Sequence, residues 1–84
     1  MTFSVYIIFS KSCRKFYTGQ TMDFKNRFIE HNAGETKSIK SCIPWVLVWK
    51  IEVTSRSEAM KLEKKIKSWG AARYLKNLGI KIPE

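Results

Sequence analysis

The stretch "SVYIIFSKSCRKFYTGQT", Ser4 to Thr21, decides the fold. Residues 4 to 9 are aromatic and β-branched and read as a strand. Tyr6 and Ile8 point to one face, and Val5, Ile7 and Phe9 to the other. The polar run "SKSCRK" makes a loop, and "KFYTGQ" returns as a second strand, so both tyrosines, Tyr6 and Tyr17, share one tight hairpin. Gly19, near the end of that strand, marks a bulge or a place where another backbone or a ligand comes close. Strand propensity alone would admit two tyrosines here; a need for two phenol oxygens in one place would require partners elsewhere in the chain.

Outward from the hairpin, Thr21 reads as an N-cap and Asp23 as a first-turn acid suited to the helix dipole. That helix runs to about Asn32, ends before Gly34, and turns Phe24 and Phe28 inward. Residues 33 to 43 lack periodicity and form a polar loop carrying Lys37 and Lys40. "WVLVWKIEV" is a third strand, apolar on both sides in its first half, which predicts cover on both faces there. Lys50 and Glu52 face outward in its second half. A capping box, Ser55 with Glu58, opens a helix whose buried stripe is Ala59, Leu62, Ile66 and Trp69. Gly70 ends it, and a short last helix closes at Gly79. The expected architecture is α+β in the order β-β-α-β-α-α: a small sheet with helices packed on it, in a single domain over residues 1–84.

Sixteen Lys and Arg against seven Asp and Glu give a net charge of +9, which favours anionic polymers over small neutral substrates. Cys13 and Cys42 form no CxxC pair, have no neighbouring histidine, and are too few for a disulfide scaffold or a zinc site. Reduced thiols and a cytoplasmic location are therefore expected. The apolar run "VYIIF" is far too short for a signal-peptide core or a membrane span, so no membrane association is expected.

Polar side chains fall in suggestive places. Arg27 and His31, four apart, share a helix face beside the Phe24/Phe28 stripe. Taken alone, His31 is a surface residue or a cation at its own helix end. At about 100° per residue, Glu63 falls on the shoulder of the next helix's buried stripe, with Arg56 and Lys67 on the same shoulder. A Glu63–Lys67 ladder accounts for part of this. Two phenols, an arginine with a histidine, and a carboxylate with basic flanks form a set that phosphodiester hydrolysis can use. A divalent ion on the carboxylate offsets phosphate charge. An arginine fork grips the phosphate. A tyrosine serves as base only if nearby cations lower its pKa of about 10.

These residues resemble the GIY-YIG endonuclease family. The first motif matches at Ser4-Val5-Tyr6 and the second at Tyr17-Thr18-Gly19. "QTMDFKNRFIEHN" is similar to the family's first helix, placing its arginine at Arg27 and its histidine at His31. "SRSEAMKLEKKIKSW" is similar to the helix bearing its metal-binding glutamate, here Glu63, and Asn77 loosely corresponds to a late asparagine. Ser4, Val5 and Thr18 depart from the motif letters without removing a catalytic group, and Gln20 stands where some members have lysine. The resemblance covers residues 4 to 77 and is nearest to small single-domain bacterial members. It implies a three-stranded, mainly antiparallel sheet flanked by helices, and one-metal cleavage of a phosphodiester.

The leading expectation is a metal-dependent endonuclease acting on DNA rather than RNA, with Glu63 holding Mg²⁺ or Mn²⁺. Tyr6 is its general base or water-positioner, with Tyr17 beside it; Arg27 grips the phosphate and His31 assists. Gly19, Lys37, Lys40, Arg56, Lys67 and Asn77 contact nucleic acid, as a monomer or with a targeting protein. The alternatives are a nucleic-acid-binding module that keeps a vestigial or partner-dependent site without cutting, and a protein-interaction domain with Trp45 and Trp49 as exposed anchors.

Overall fold

Strand alternation organises the molecule. The structure, a computed structural model, describes residues 2–34 and 41–82. Strand β1 (Phe3–Ser10) lies in the centre of a three-stranded sheet, paired antiparallel with β2 (Lys15–Thr21) on one side and β3 (Trp45–Val53) on the other. Helix α1 (Phe24–Asn32) follows β2, and α2 (Arg56–Trp69) and α3 (Ala71–Asn77) follow β3. The element order and the antiparallel α+β architecture are as the sequence predicts.

Val5 and Ile7 are fully buried with Ala59 and Ile66 of α2 and Leu75 of α3. Tyr6 and Ile8, on the opposite face, pack with Cys42, Trp45 and the α1 side chains Phe24 and Phe28. The helices therefore divide: α2 and α3 cover one face, α1 the other. Burying each branched aliphatic side chain contributes roughly 1.5–3 kcal/mol.

Several expectations need correction. The first half of β3 is not covered on both faces: Val46 and Leu47 are exposed, because β3 is an edge strand and α1 spans only part of its face. The bulge lies in the β1–β3 pairing, where Ile7 faces Trp49 and Ile8 faces Leu47, leaving Val48 as the extra residue. At Gly19 the ladder is regular. The N-cap of α1 is Asp23, whose carboxylate accepts from the Asn26 amide at 3.2 Å, while Thr21 Oγ1 accepts from the Asp23 amide. Ser55 caps α2, accepting from the Glu58 amide at 3.1 Å. Trp45 is buried and Trp49 packs against the core, which removes the reading of both as exposed anchors.

The two cysteines are joined. Cys13, in the hairpin loop, and Cys42, just before β3, form a disulfide across 29 residues with Cα atoms 5.4 Å apart. The expectation of free thiols failed because the two sites meet only through the pairing of β1 with both neighbours, which sequence spacing does not encode. The disulfide removes the thiol argument for a cytoplasmic location. Among the described residues, no helix is long and apolar enough to cross a membrane.

Candidate active site

Tyr6 sits in the middle of the sheet, with Gly19 opposite on β2 and Lys50 opposite on β3. A Cβ added at Gly19 would stand 2.6 Å from the Tyr6 hydroxyl oxygen, 2.8 Å from Cζ and 3.1 Å from Tyr17 Cε1. Space, not backbone conformation, explains this glycine. It lets the Tyr6 ring lie across β2, with its hydroxyl over the glycine. What approaches Gly19 is a side chain, that of Tyr6, and not the backbone or ligand that was expected there.

Helix α1 closes over the phenols. Phe24 meets Tyr6 edge-on at 5.2 Å and stacks on Phe28 at 5.4 Å. One turn further on, His31 is 1% exposed and its Nε2 lies 2.9 Å from the Tyr6 hydroxyl. Tyr17 meets the His31 ring edge-on at 5.1 Å and the Trp45 indole at 6.3 Å. His31 is thus neither a surface residue nor a mere helix-end cation; the apolar stripe of α1 carries it into the interior beside the phenols.

A two-point clamp holds this end of α1. The side-chain amide of Asn32 accepts from the Trp45 N–H at 2.5 Å and donates to the Trp45 carbonyl at 3.1 Å. It pairs with the first residue of β3 as a neighbouring strand would, and fixes the helix end that bears His31. Nothing local in the sequence singles out Asn32, since its partner is thirteen residues away.

The electrostatics follow from burial. Tyr6 is 1% exposed, and desolvation raises its pKa well above the ordinary value of 10.0. The Tyr17 phenol, Glu63 and Glu30 push it the same way, and Arg27 opposes them. Burial, and then the Arg27 charge, lower the His31 pKa from 6.5. The pair is therefore neutral at physiological pH. The surrounding cations do not lower the Tyr6 pKa as a free-standing phenolate base would require.

Glu63 reaches the same neighbourhood from α2, which packs closely against β2, and its charge acts on the Tyr6 hydroxyl. It lies with Lys67 at 2.6 Å, its side chain 20% exposed. The i,i+4 ladder is thus present. Arg27 is exposed and pairs loosely with Glu30 at 3.7 Å. Arg27 and Arg56 line one groove of about 410 Å³ together with Gln20, Thr21 and Met22. Arg56 also lies 5.5 Å from the Phe3 ring centre.

The structure thus gathers Tyr6, Tyr17, Gly19 and His31 in contact, with Arg27 and Glu63 within electrostatic reach. Asn77 lines a separate groove with Trp69, Arg73 and Lys76. Lys37 and Lys40 lie outside the described residues. Sequence reading overlooked Lys50, whose ammonium sits 5.0 Å from the centre of the Phe24 ring. Its outward position on β3 was legible, but its register opposite Tyr6 was not. It also overlooked Lys61 and Lys64, which share the outer face of α2 with Arg56.

A hard divalent ion takes oxygen ligands and keeps several waters, so one or two carboxylates with a substrate phosphate suffice. The Glu63 carboxylate, its side chain 20% exposed, fits that requirement. Among the described residues there is no group of three His, Cys, Asp or Glu side chains of the kind zinc takes.

A central antiparallel sheet with two phenols over a glycine, an arginine groove and the flanking Glu63 carboxylate defines a class of protein. Residues 2–76 match the model of the GIY-YIG catalytic domain, and the chain belongs to the GIY-YIG family of nucleases. More particularly, it is 40% identical over 73 residues to a UPF0213 protein of Staphylococcus haemolyticus, covering 86% of this chain and 88% of that protein. A UPF0213 protein of Staphylococcus saprophyticus is 36% identical over the same length, with the same coverage. The solution structure of a UPF0213 protein of Bacillus halodurans superposes with a TM-score of 0.59 at 29% identity, covering 94% of this chain and 84% of that one.

Proposed function

We propose that this protein is a divalent-metal-dependent endonuclease that hydrolyses DNA phosphodiester bonds. The single observation that carries the reading is the buried Tyr6–His31 hydrogen bond, held over Gly19 in a chain whose residues 2–76 match the GIY-YIG catalytic domain. Burying two titratable groups is costly unless they are paired, and an apolar pair would fill the same space more cheaply.

With His31 protonated at Nδ1, its Nε2 accepts the Tyr6 hydroxyl proton. An attacking water that gives its proton to the Tyr6 oxygen, as the Tyr6 proton passes to Nε2, is activated without a free phenolate. Tyr6 is then the water-positioner and relay, and His31 the proton acceptor. Tyr17 flanks the phosphate or the water. Arg27 grips the scissile phosphate from the groove beside the phenols. Glu63 would hold Mg²⁺ or Mn²⁺, which would supply Lewis-acid stabilisation of charge on the phosphate. Arg56, Lys50, Lys61 and Lys64 track the backbone, and Lys67 pairs with Glu63. The protein acts as a monomer, with a separate protein for targeting, and DNA is preferred to RNA.

Two observations favour a second reading, a binding module that does not cut: the 1% exposure of Tyr6 and the neutralisation of Glu63 by Lys67. The readings separate on a panel of labelled duplex, nicked, flapped, branched and RNA substrates with Mg²⁺ or Mn²⁺. The nuclease produces divalent-dependent product, abolished by Glu63→Gln and reduced by Arg27→Ala. Equal product from Glu63→Gln would sink the metal assignment. Salt-sensitive binding with no product on any substrate would establish the module.

A further inference from the structure

The end of α2 carries a ring that helical spacing assigns to the buried stripe, yet Trp69 is 41% exposed. It is not loosely held. Tyr74 of α3 meets it edge-on at 5.9 Å, and Tyr74 in turn lies edge-on to Trp49 at 5.5 Å. Three rings thus tie an exposed indole to the core. Lys65 places its ammonium 5.3 Å from the Trp69 ring centre. Arg73, Lys76 and Asn77 line a groove of about 410 Å³ with Trp69, and among the described residues no carboxylate joins that lining.

An indole is among the largest apolar side chains, and leaving it in water forfeits much of its burial energy. Here it is exposed, held in orientation by a second ring, and bordered by cations. That combination suits a nucleotide: the base stacks on the ring, and the cations take the adjoining phosphates. Paired bases are already stacked within their duplex and cannot do this.

The geometry points to a second nucleic-acid site, a stacking seat for one unpaired nucleobase on Trp69. Lys65, Arg73 and Lys76 take the flanking phosphates, and Asn77 is the polar side chain beside the base. Trp69 is six residues beyond Glu63, which separates them by about 9 Å along the helix and about 120° around it. The seat is therefore distinct from the tyrosine cluster. It rests on the reading of this chain as one that acts on nucleic acid, and refines it: the preferred substrate has unpaired nucleotides beside the duplex, as at a flap or a splayed end.

The test is fluorescence anisotropy of labelled oligo-dT and of a blunt duplex, with a chelator present so that nothing is cut. Trp69→Ala should weaken oligo-dT binding about tenfold and leave duplex binding within about twofold, whereas Trp69→Phe, which can still stack, should stay near the wild type. Circular dichroism confirms that each variant is folded. Arg73→Ala with Lys76→Ala should flatten the single-strand salt dependence by about 0.7 for each phosphate no longer neutralised. The seat is refuted if folded Trp69→Ala holds oligo-dT as tightly as the wild type does. Should that variant not fold, the seat is refuted if stacking-competent Trp69→Phe is weakened on oligo-dT and duplex alike. A wild type that binds duplex but not oligo-dT removes the seat alone; one that binds neither removes the nucleic-acid reading with it.

Discussion

The two faces of strand β1 are built to different ends. Towards α2 and α3, Val5 and Ile7 meet Ala59, Ile66 and Leu75 in an apolar core. Towards α1, the same strand buries Tyr6 against His31, and the Asn32 amide holds the adjoining helix end. The first face gains stability from transfer out of water. The second accepts desolvated polar groups and depends on their hydrogen bonds. Apolar packing thus lies on one side of a single strand and the hydrogen-bonded polar pair on the other.

The largest break in this comparison should come from the apolar face. Ile7→Ala should cost about 2–5 kcal/mol in chemical denaturation, enough to leave a domain of this size mostly unfolded. On the other face, Gly19→Ala should cost about 1–3 kcal/mol, because the new methyl meets the Tyr6 ring. That cost should shrink in a Tyr6→Phe background, where the nearest atom, the hydroxyl oxygen, is gone. An equal cost in both backgrounds would mean that Tyr6 does not lie over Gly19.

Tyr6→Phe should itself cost about 1–3 kcal/mol, because it takes the hydroxyl away from the buried His31 Nε2. Its signature lies in the pH dependence. The unfolded chain releases the tyrosine proton near pH 10.0, while the folded protein retains it, so Tyr6 makes stability fall as pH rises above that value. The fall should be shallower in Tyr6→Phe. His31 acts at the other end: the unfolded chain takes up its proton near pH 6.5 and the folded protein resists, so stability declines as pH drops below that value. Denaturation midpoints from about pH 5 to about pH 11 measure both limbs.

The smallest effect belongs outside both faces. Lys67→Ala removes a solvent-screened pair and should change stability by less than about 1 kcal/mol. It should tighten Mn²⁺ binding, because Glu63 loses its competing cation; weaker Mn²⁺ binding would argue against that carboxylate as the ligand.

Much of the fold was legible because β1 carries an unbroken aromatic and β-branched run, Val5 to Phe9, and α2 begins at a capped serine. The failures share one cause: contacts between residues distant in sequence. The disulfide, the Asn32 clamp and the position of Lys50 beside Tyr6 depend on strand register, which local pattern does not fix. Trp69 had the right periodicity for burial, yet the chain turns into α3 at Gly70 and leaves the ring at the surface. At the site, spacing paired Arg27 with His31 and set Glu63 on a helix shoulder, and the family resemblance singled these out together with the two tyrosines. The protonation state was not legible, because it is set by how deeply α1 buries the pair.

The central claim is that Tyr6 is present for its oxygen. Divalent-dependent nicking of supercoiled plasmid by Tyr6→Phe, in protein shown to be folded, measures this most directly. Loss of the proton relay should slow cleavage by about 10²-fold or more while the ring and its packing remain. A folded Tyr6→Phe protein that nicks as fast as the wild type would contradict it.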